Sequence, residues 1–221
     1  MRSAPAPSSR STGPIAEPYF LLLANTLATG GALFALIATF GPYSGAHFNP
    51  VVTLADAWQG GLPWRAVGGY IVAQIAGAIA GTVTANLMFG DPAFFASHHI
   101  RSGPAQLLGE FAATFGLLAT IWGCSRRAPN LVAQAVAAYI VGAYWFTSST
   151  SFANPAVTIA RSLSDTFAGI RPADVPPFIF AQLAGGAAAT FFFQWIDPVR
   201  ETAVDPLTVP HKGLSGERVL S

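Results

Sequence analysis

Two short segments carry the side chains best suited to handle a small solute. Ser44-Gly45-Ala46-His47-Phe48-Asn49-Pro50-Val51 and Ser149-Thr150-Ser151-Phe152-Ala153-Asn154-Pro155-Ala156 place an Asn-Pro pair 105 residues apart, each inside an apolar region. Asparagine is a good N-cap and proline tolerates the first helical position, so Asn49-Pro50 and Asn154-Pro155 each predict the start of a helix. Half-helices entering a membrane from opposite faces would bring their positive ends together near the midplane. There the field repels cations, and two side-chain amides offer hydrogen bonds to a passing solute. One Asn-Pro in a loop is usually a turn or a cap, whereas two in matching contexts define a pore motif.

The remaining reactive side chains do not assemble an enzyme. No nucleophile and base pair, metal cluster or phosphate-binding loop is recognisable, and no cofactor is implied. His98 and His99 are adjacent, point apart and lack nearby ligands, so they read as a solvated loop. Cys124 is the lone cysteine, which excludes an internal disulfide and reads as a small packing residue. The net charge of +1 gives no reason to expect a nucleic-acid partner.

The elements that must position the motif are membrane helices. Hydrophobic residues make up 52% of the chain and charged residues 10%, with mean hydropathy +0.48. A span needs about 20 apolar residues, and five stretches qualify: Tyr19 to Phe40, Trp64 to Phe89, Pro104 to Cys124, Asn130 to Thr147 and Pro176 to Ile196. The segments opening at Asn49 and Asn154 are too short to cross and carry Thr53, Asp56, Thr158 and Arg161, so they read as re-entrant half-helices shielded from lipid. The organisation expected is a disordered tail over 1–18, a channel domain over 19–196 with half-repeats 19–89 and 104–196, and a second disordered tail over 197–221. Tyr19 to Phe40 runs into the first motif without a cleavage site, which argues against a signal peptide.

The repeat extends past the motifs, because the segment from Tyr70 to Thr82 matches that from Phe178 to Thr190, pairing Gln74 with Gln182 and Gly77 with Gly185. Three spans lie between the two motifs, and an odd number puts them on opposite faces, so the repeats are inverted. Arg126 and Arg127 in a short loop mark the cytoplasmic side. The Asn49 loop is then cytoplasmic and the Asn154 loop external.

These residues resemble the aquaporin and aquaglyceroporin family, the major intrinsic proteins, over about 180 residues from Phe20 to Ile196. The resemblance implies an all-α membrane protein: a right-handed helical bundle with inverted repeats, here with five full spans plus two re-entrant half-helices. It also implies one pore per protomer, a homotetramer in membrane lipid, and passive passage of water or other small neutral solutes. The family has six helices. Glu17 and Asn49 are 32 residues apart, room for only one span, so Tyr19 to Phe40 corresponds to the family's second helix and the first is missing. An upstream start or a truncated first half would account for that. Glu17 is then an ordinary surface charge.

Glu110 matches the family glutamate that braces the second pore loop, and an ionisable group inside a span is expected to be such an anchor. Gln74 and Gln182 are expected to satisfy loop backbone groups in the same way. Backbone carbonyls of Gly45, Ala46 and His47, and of Ser151, Phe152 and Ala153, are expected to form a ladder of acceptors leading to each asparagine, with His47 lining the inner approach. Counting family positions from the two asparagines puts the selectivity filter at Thr29, Gly142, Ser151 and Val157. The family's usual arginine after the second motif is replaced by Val157, which implies a wider, arginine-free ring with no aromatic member. That pattern resembles a bacterial inner-membrane branch associated with arsenite, whose neutral form, arsenous acid, is shaped like a polyol. From the filter alone, glycerol-like polyols, water, and boric or antimonous acid stand beside it. Arg161 lies four residues beyond Val157 on the same face, where it either charges the outer vestibule or snorkels to the surface. A non-conducting membrane scaffold is the alternative function, favoured by the missing helix. A coupled transporter is disfavoured because no carboxylate is expected on the pore path.

Overall fold

A computed structural model describes residues 16–197. The tails expected over 1–18 and 197–221 fall almost wholly outside this range. Every regular element among the described residues is helical: α1 (Ala16–Ser44), the half-helix α2 (Pro50–Trp58), α3 (Trp64–Met88), α4 (Pro104–Arg127), α5 (Val132–Phe146), the half-helix α6 (Pro155–Arg161) and α7 (Val175–Ile196), with single 3-10 turns at Pro129–Leu131 and Pro172–Asp174.

Helix α4 runs past the expected Cys124 to include Arg126 and Arg127 in its last turn, and at two other boundaries the physical reason for the difference is plain. Helix α1 does not stop at Phe40 but continues through Gly41-Pro42 to Ser44. Pro42 sits exposed in the final turn, where losing one N–H bond does little harm, and Gly45 N still donates to Gly41 O at 2.9 Å. The span expected from Asn130 to Thr147 is shorter as a helix, because Pro129 opens a separate 3-10 turn before α5. The 15 residues of α5 reach about 22 Å at 1.5 Å per residue, against about 30 Å for a bilayer core. Four helices are therefore long and apolar enough to cross alone: α1, α3, α4 and α7.

Packing follows the internal two-fold relation. Helix α3 lies against α6, and its counterpart α7 lies against α2. Each half-helix also packs on the long helix of its own half, α2 on α3 and α6 on α7, while α1 pairs with α5 across the halves. Helix α4 breaks the symmetry by packing against both α5 and α7, and no described element takes the equivalent place between α1 and α3. Burial reflects this, with 39% of the most apolar stretch of α4 or α7 buried against 11% for α1 and 6% for α3.

Repeated glycines make the difference concrete. A Cβ on Gly185 would lie 2.3 Å from Phe111 O, so α4 and α7 approach as closely as they do because this position has no side chain. Its repeat partner Gly77 has nothing within 4 Å. One end of the bundle is fastened by Arg126, which donates to Gln59 Oε1 at 2.6 Å, to Phe193 O at 3.2 Å and to Asp197 O. One guanidinium thus joins the C-terminal ends of α2, α4 and α7.

Because Gly185 faces backbone and Gly77 faces open space, Gly185→Val should destabilise the detergent-solubilised protein by about 3 kcal/mol through forced separation of α4 and α7. Gly77→Val should stay within about 0.5 kcal/mol. Thermal unfolding of the two variants side by side checks the contrast.

Candidate functional site

The two asparagines are joined to each other's loops. Asn49 caps α2 by accepting from Val51 N at 3.0 Å, while its Nδ2 donates to Ala153 O at 2.7 Å. Asn154 caps α6 by accepting from Ala156 N and Val157 N at 2.9 and 3.3 Å, while its Nδ2 donates to Phe48 O at 2.8 Å. Each side chain holds its own half-helix and the opposite loop at once. An amide nitrogen carries two protons, so one N–H of each asparagine remains after this exchange. Each amide can therefore offer a passing solute one N–H at most.

The loops leading into the asparagines are held in an uncommon backbone shape. Ala46 and Phe48 have φ of 46° and 47°, and Ser151 and Ala153, at the same distances from their asparagine, have φ of 51° and 48°. Left-handed geometry costs a non-glycine residue about 1–2 kcal/mol, so something must hold it. In the second loop the holder is Glu110, fully buried on α4. Its Oε1 accepts from Phe152 N and its Oε2 from Ala153 N, both at 2.8 Å. Gln182 Nε2 lies 2.6 Å from Glu110 Oε2 and 2.8 Å from Thr158 Oγ1, tying carboxylate, loop and half-helix together. Arg101 adds a clamp from the α3–α4 loop, donating to Ser149 O, Thr150 Oγ1, Phe167 O and Gly169 O. Burial, with Arg161 nearby, holds the Arg101 guanidinium down to about 10, so it stays a cation at neutral pH.

The first loop is held by neutral groups. Gln74 Nε2 donates to Thr53 Oγ1 at 2.8 Å, as Gln182 does to Thr158. Tyr70 Oη donates to Ser44 O at 3.2 Å, and His47 Nδ1 pairs with Thr53 Oγ1 at 3.1 Å. His47 Nε2 faces the Asp56 carboxylate at 3.5 Å.

Both loops open onto one cavity of about 450 Å³. Three helices present it with residues at four-residue intervals, the spacing of one helical face: Thr29, Leu33 and Ile37 on α1; Leu117, Ile121 and Ser125 on α4; Val132, Val136, Ile140 and Tyr144 on α5. Gly45, Ala46, His47, Asn49, Ser151, Phe152, Ala153, Asn154, Val157 and Arg161 line it as well. Gly142 does not. It is off the α5 stripe, and a Cβ there would meet the Phe146 ring at 3.6 Å. Tyr144, which counting from the asparagine passed over, lines the cavity instead and puts an aromatic residue on a wall expected to have none. The α5 stripe is the sequence signal that would have found it. Asp56 also lines the cavity, so a carboxylate does reach it, contrary to expectation.

One end of the cavity carries a guanidinium. Arg161 Nη2 donates to Tyr144 Oη at 3.1 Å, and Tyr144 Oη is 3.2 Å from Thr29 Oγ1. The Arg161 Cζ lies 4.5 Å from the Phe152 ring centroid and the Arg101 Cζ 4.9 Å from the same ring. Asp56 and Arg161 occupy the same repeat position, seven residues after Asn49 and Asn154. The mouths are therefore charged oppositely by side chains in equivalent places.

His98 and His99 lie outside the cavity. His98 donates through its backbone N to Asp165 Oδ1 at 2.8 Å and pairs through Nδ1 with Oδ2 at 3.0 Å; these bonds hold the Asp165 carboxyl below its ordinary range. This cross-link joins the α3–α4 and α6–α7 loops. No group of three metal-ligating side chains occurs among the described residues. The arrangement offers a polar line of backbone and amide groups along an apolar wall, suited to passing a solute.

Residues 10–153 match the major intrinsic protein family. The chain is 50% identical over 181 residues to the aquaglyceroporin AqpS of Rhizobium meliloti (strain 1021), covering 82% of this chain and 78% of that protein. It is 33% identical over 180 residues to aquaporin NIP1-3 of Oryza sativa subsp. japonica, covering 78% of this chain and 63% of that one. A glycerol uptake facilitator protein of Streptococcus pneumoniae is 36% identical over 110 residues, covering 44% of this chain and 47% of that protein. The chain thus spans less than two thirds of the rice relative's length and more than three quarters of AqpS.

Glutamine at 110 offers one oxygen where the carboxylate offers two, so one of the Phe152 and Ala153 amides loses its acceptor and meets an N–H donor instead. Glu110→Gln should lower stability by about 3 kcal/mol, read as a drop in the melting temperature of the detergent-solubilised protein.

Proposed function

The chain belongs to the major intrinsic protein family, whose members are membrane channels and not enzymes, and on that premise we propose that it passes small uncharged solutes passively through the 450 Å³ cavity. The observation that carries this reading is the reciprocal bonding of Asn49 and Asn154. It holds two half-helix N-termini together at one point of a continuous cavity, where their combined field opposes cations but not neutral molecules. Water and glycerol-like polyols are the expected solutes, with arsenous acid beside them because it is a neutral trihydroxy molecule of similar shape. Val157 supports the wider range, since it takes far less room at the cavity wall than the arginine usual at that position. A bacterial inner membrane and a homotetramer complete the proposal. The exposed surfaces of α1 and α3 are apolar enough to face lipid or a neighbouring protomer.

A non-conducting scaffold is favoured by one feature, that no element among the described residues takes the place between α1 and α3. Stopped-flow light scattering on proteoliposomes separates the two readings. A channel shrinks and re-swells vesicles in glycerol faster than protein-free liposomes do and admits arsenous acid, whereas a scaffold matches the protein-free rate. Val157→Trp should fill the cavity beside the second motif and reduce glycerol flux about tenfold, with the protein still folded. Flux equal to that of empty vesicles would remove the channel reading.

A further inference from the structure

We propose that Arg161 is the specificity-determining cation of this channel, acting from one helical turn beyond the site that Val157 leaves small. The assignment rests on the channel reading above. Helical side chains lean toward the N-terminus of their helix and cover the turn before their own Cα. On α6 that carries the Arg161 side chain back over Val157 toward the midplane, and a small residue at 157 leaves room for it. The guanidinium is fixed there by two contacts from different elements: the Tyr144 hydroxyl at 3.1 Å, itself 3.2 Å from Thr29 Oγ1, and the Phe152 ring at 4.5 Å. A guanidinium held against a ring and pinned at one nitrogen is a placed donor, unlike a surface arginine reaching for water. All five residues line the cavity.

A cation meets the guanidinium charge, reinforced by Arg101 across the Phe152 ring at 4.9 Å.

The test uses proteoliposomes of the full chain, reading glycerol flux by light scattering and potassium and proton leak by entrapped dyes. Arg161→Val should keep glycerol flux within about twofold and raise the cation leak about tenfold. Arg161→Lys, which keeps the charge, should hold the leak near the parent level. The double variant Val157→Arg/Arg161→Val, which moves the guanidinium back one turn, should restore exclusion and lower glycerol flux. A leak unchanged in Arg161→Val with glycerol flux intact overturns the assignment, as does Arg161→Lys leaking like the valine variant. Failure of the parent protein to pass glycerol is a distinct result that overturns the channel reading and this assignment with it.

Discussion

Two hydrogen bonds, Asn49 Nδ2 to Ala153 O and Asn154 Nδ2 to Phe48 O, are the constraint on which the rest of the structure depends. A helix broken inside a membrane leaves unpaired N–H groups where no bulk water can reach them, and each costs several kcal/mol unless satisfied. The asparagine side-chain oxygens meet that need for α2 and α6. The same amides then reach across the two-fold relation and fix where one half-helix starts relative to the other. Because the acceptors are carbonyls of the opposite loop, neither loop can shift without uncapping its partner. The two halves fold as one object through four atoms that the sequence places in matching contexts.

The cross-brace also determines what the loops must be. To present Phe48 O and Ala153 O to the opposite asparagine, Phe48 and Ala153 adopt left-handed φ, and Ala46 and Ser151 do so two residues earlier. The strain is repeated in both halves, but its restraint is not. The second loop is held by a carboxylate, a glutamine and a guanidinium; the first is held by hydroxyls, Gln74 and His47. The inequality follows from α4, the one long helix without a described counterpart, which brings Glu110 to the loop and fits against α7 only because Gly185 lacks a side chain. Gly77 keeps the same small residue in the other half with no helix against it. The repeat is therefore more nearly complete in the sequence than in the packing of the described residues.

Much of this was legible from residue types alone. Asn-Pro pairs in apolar surroundings predict capped half-helices because capping is a local reaction of adjacent atoms. Glu110 stood out because a charge within a span demands a partner, and its resemblance to the family glutamate pointed to the second pore loop. What could not be read was tertiary. Counting from the asparagines led to Gly142, but α5 faces the cavity along Val132, Val136, Ile140 and Tyr144, and the rotation of a helix about its own axis is set by its neighbours. Arg161 could be placed on the right face, yet its bond to Tyr144 spans two helices. Gly41-Pro42 looked like a helix end and was not, because a proline in a final exposed turn removes little. The carbonyl of Ala153, expected to serve the solute, is engaged by Asn49.

Charge along the cavity gives these pieces a common logic. In the proposed channel the half-helix N-termini concentrate positive potential at the midplane, and their C-terminal ends, at the two mouths, are partially negative. Asp56 and Arg161, in the same repeat position, act on those ends in opposite senses. Asp56 adds negative charge at the inner mouth and is answered by His47 at 3.5 Å, while Arg161 reverses the sign at the outer mouth and is steadied by an aromatic ring and a hydroxyl. A cation arriving from outside meets repulsion twice, first at Arg161 and then at the asparagines. An anion drawn to Arg161 still faces an apolar wall from α1, α4 and α5 that offers it no compensation for lost hydration. A neutral polyhydroxy solute meets neither penalty and finds a hydrogen-bonding group at each stage. Selectivity for uncharged molecules therefore does not require an arginine at the usual position, because the guanidinium, the half-helix ends and the apolar stripes divide the task among them.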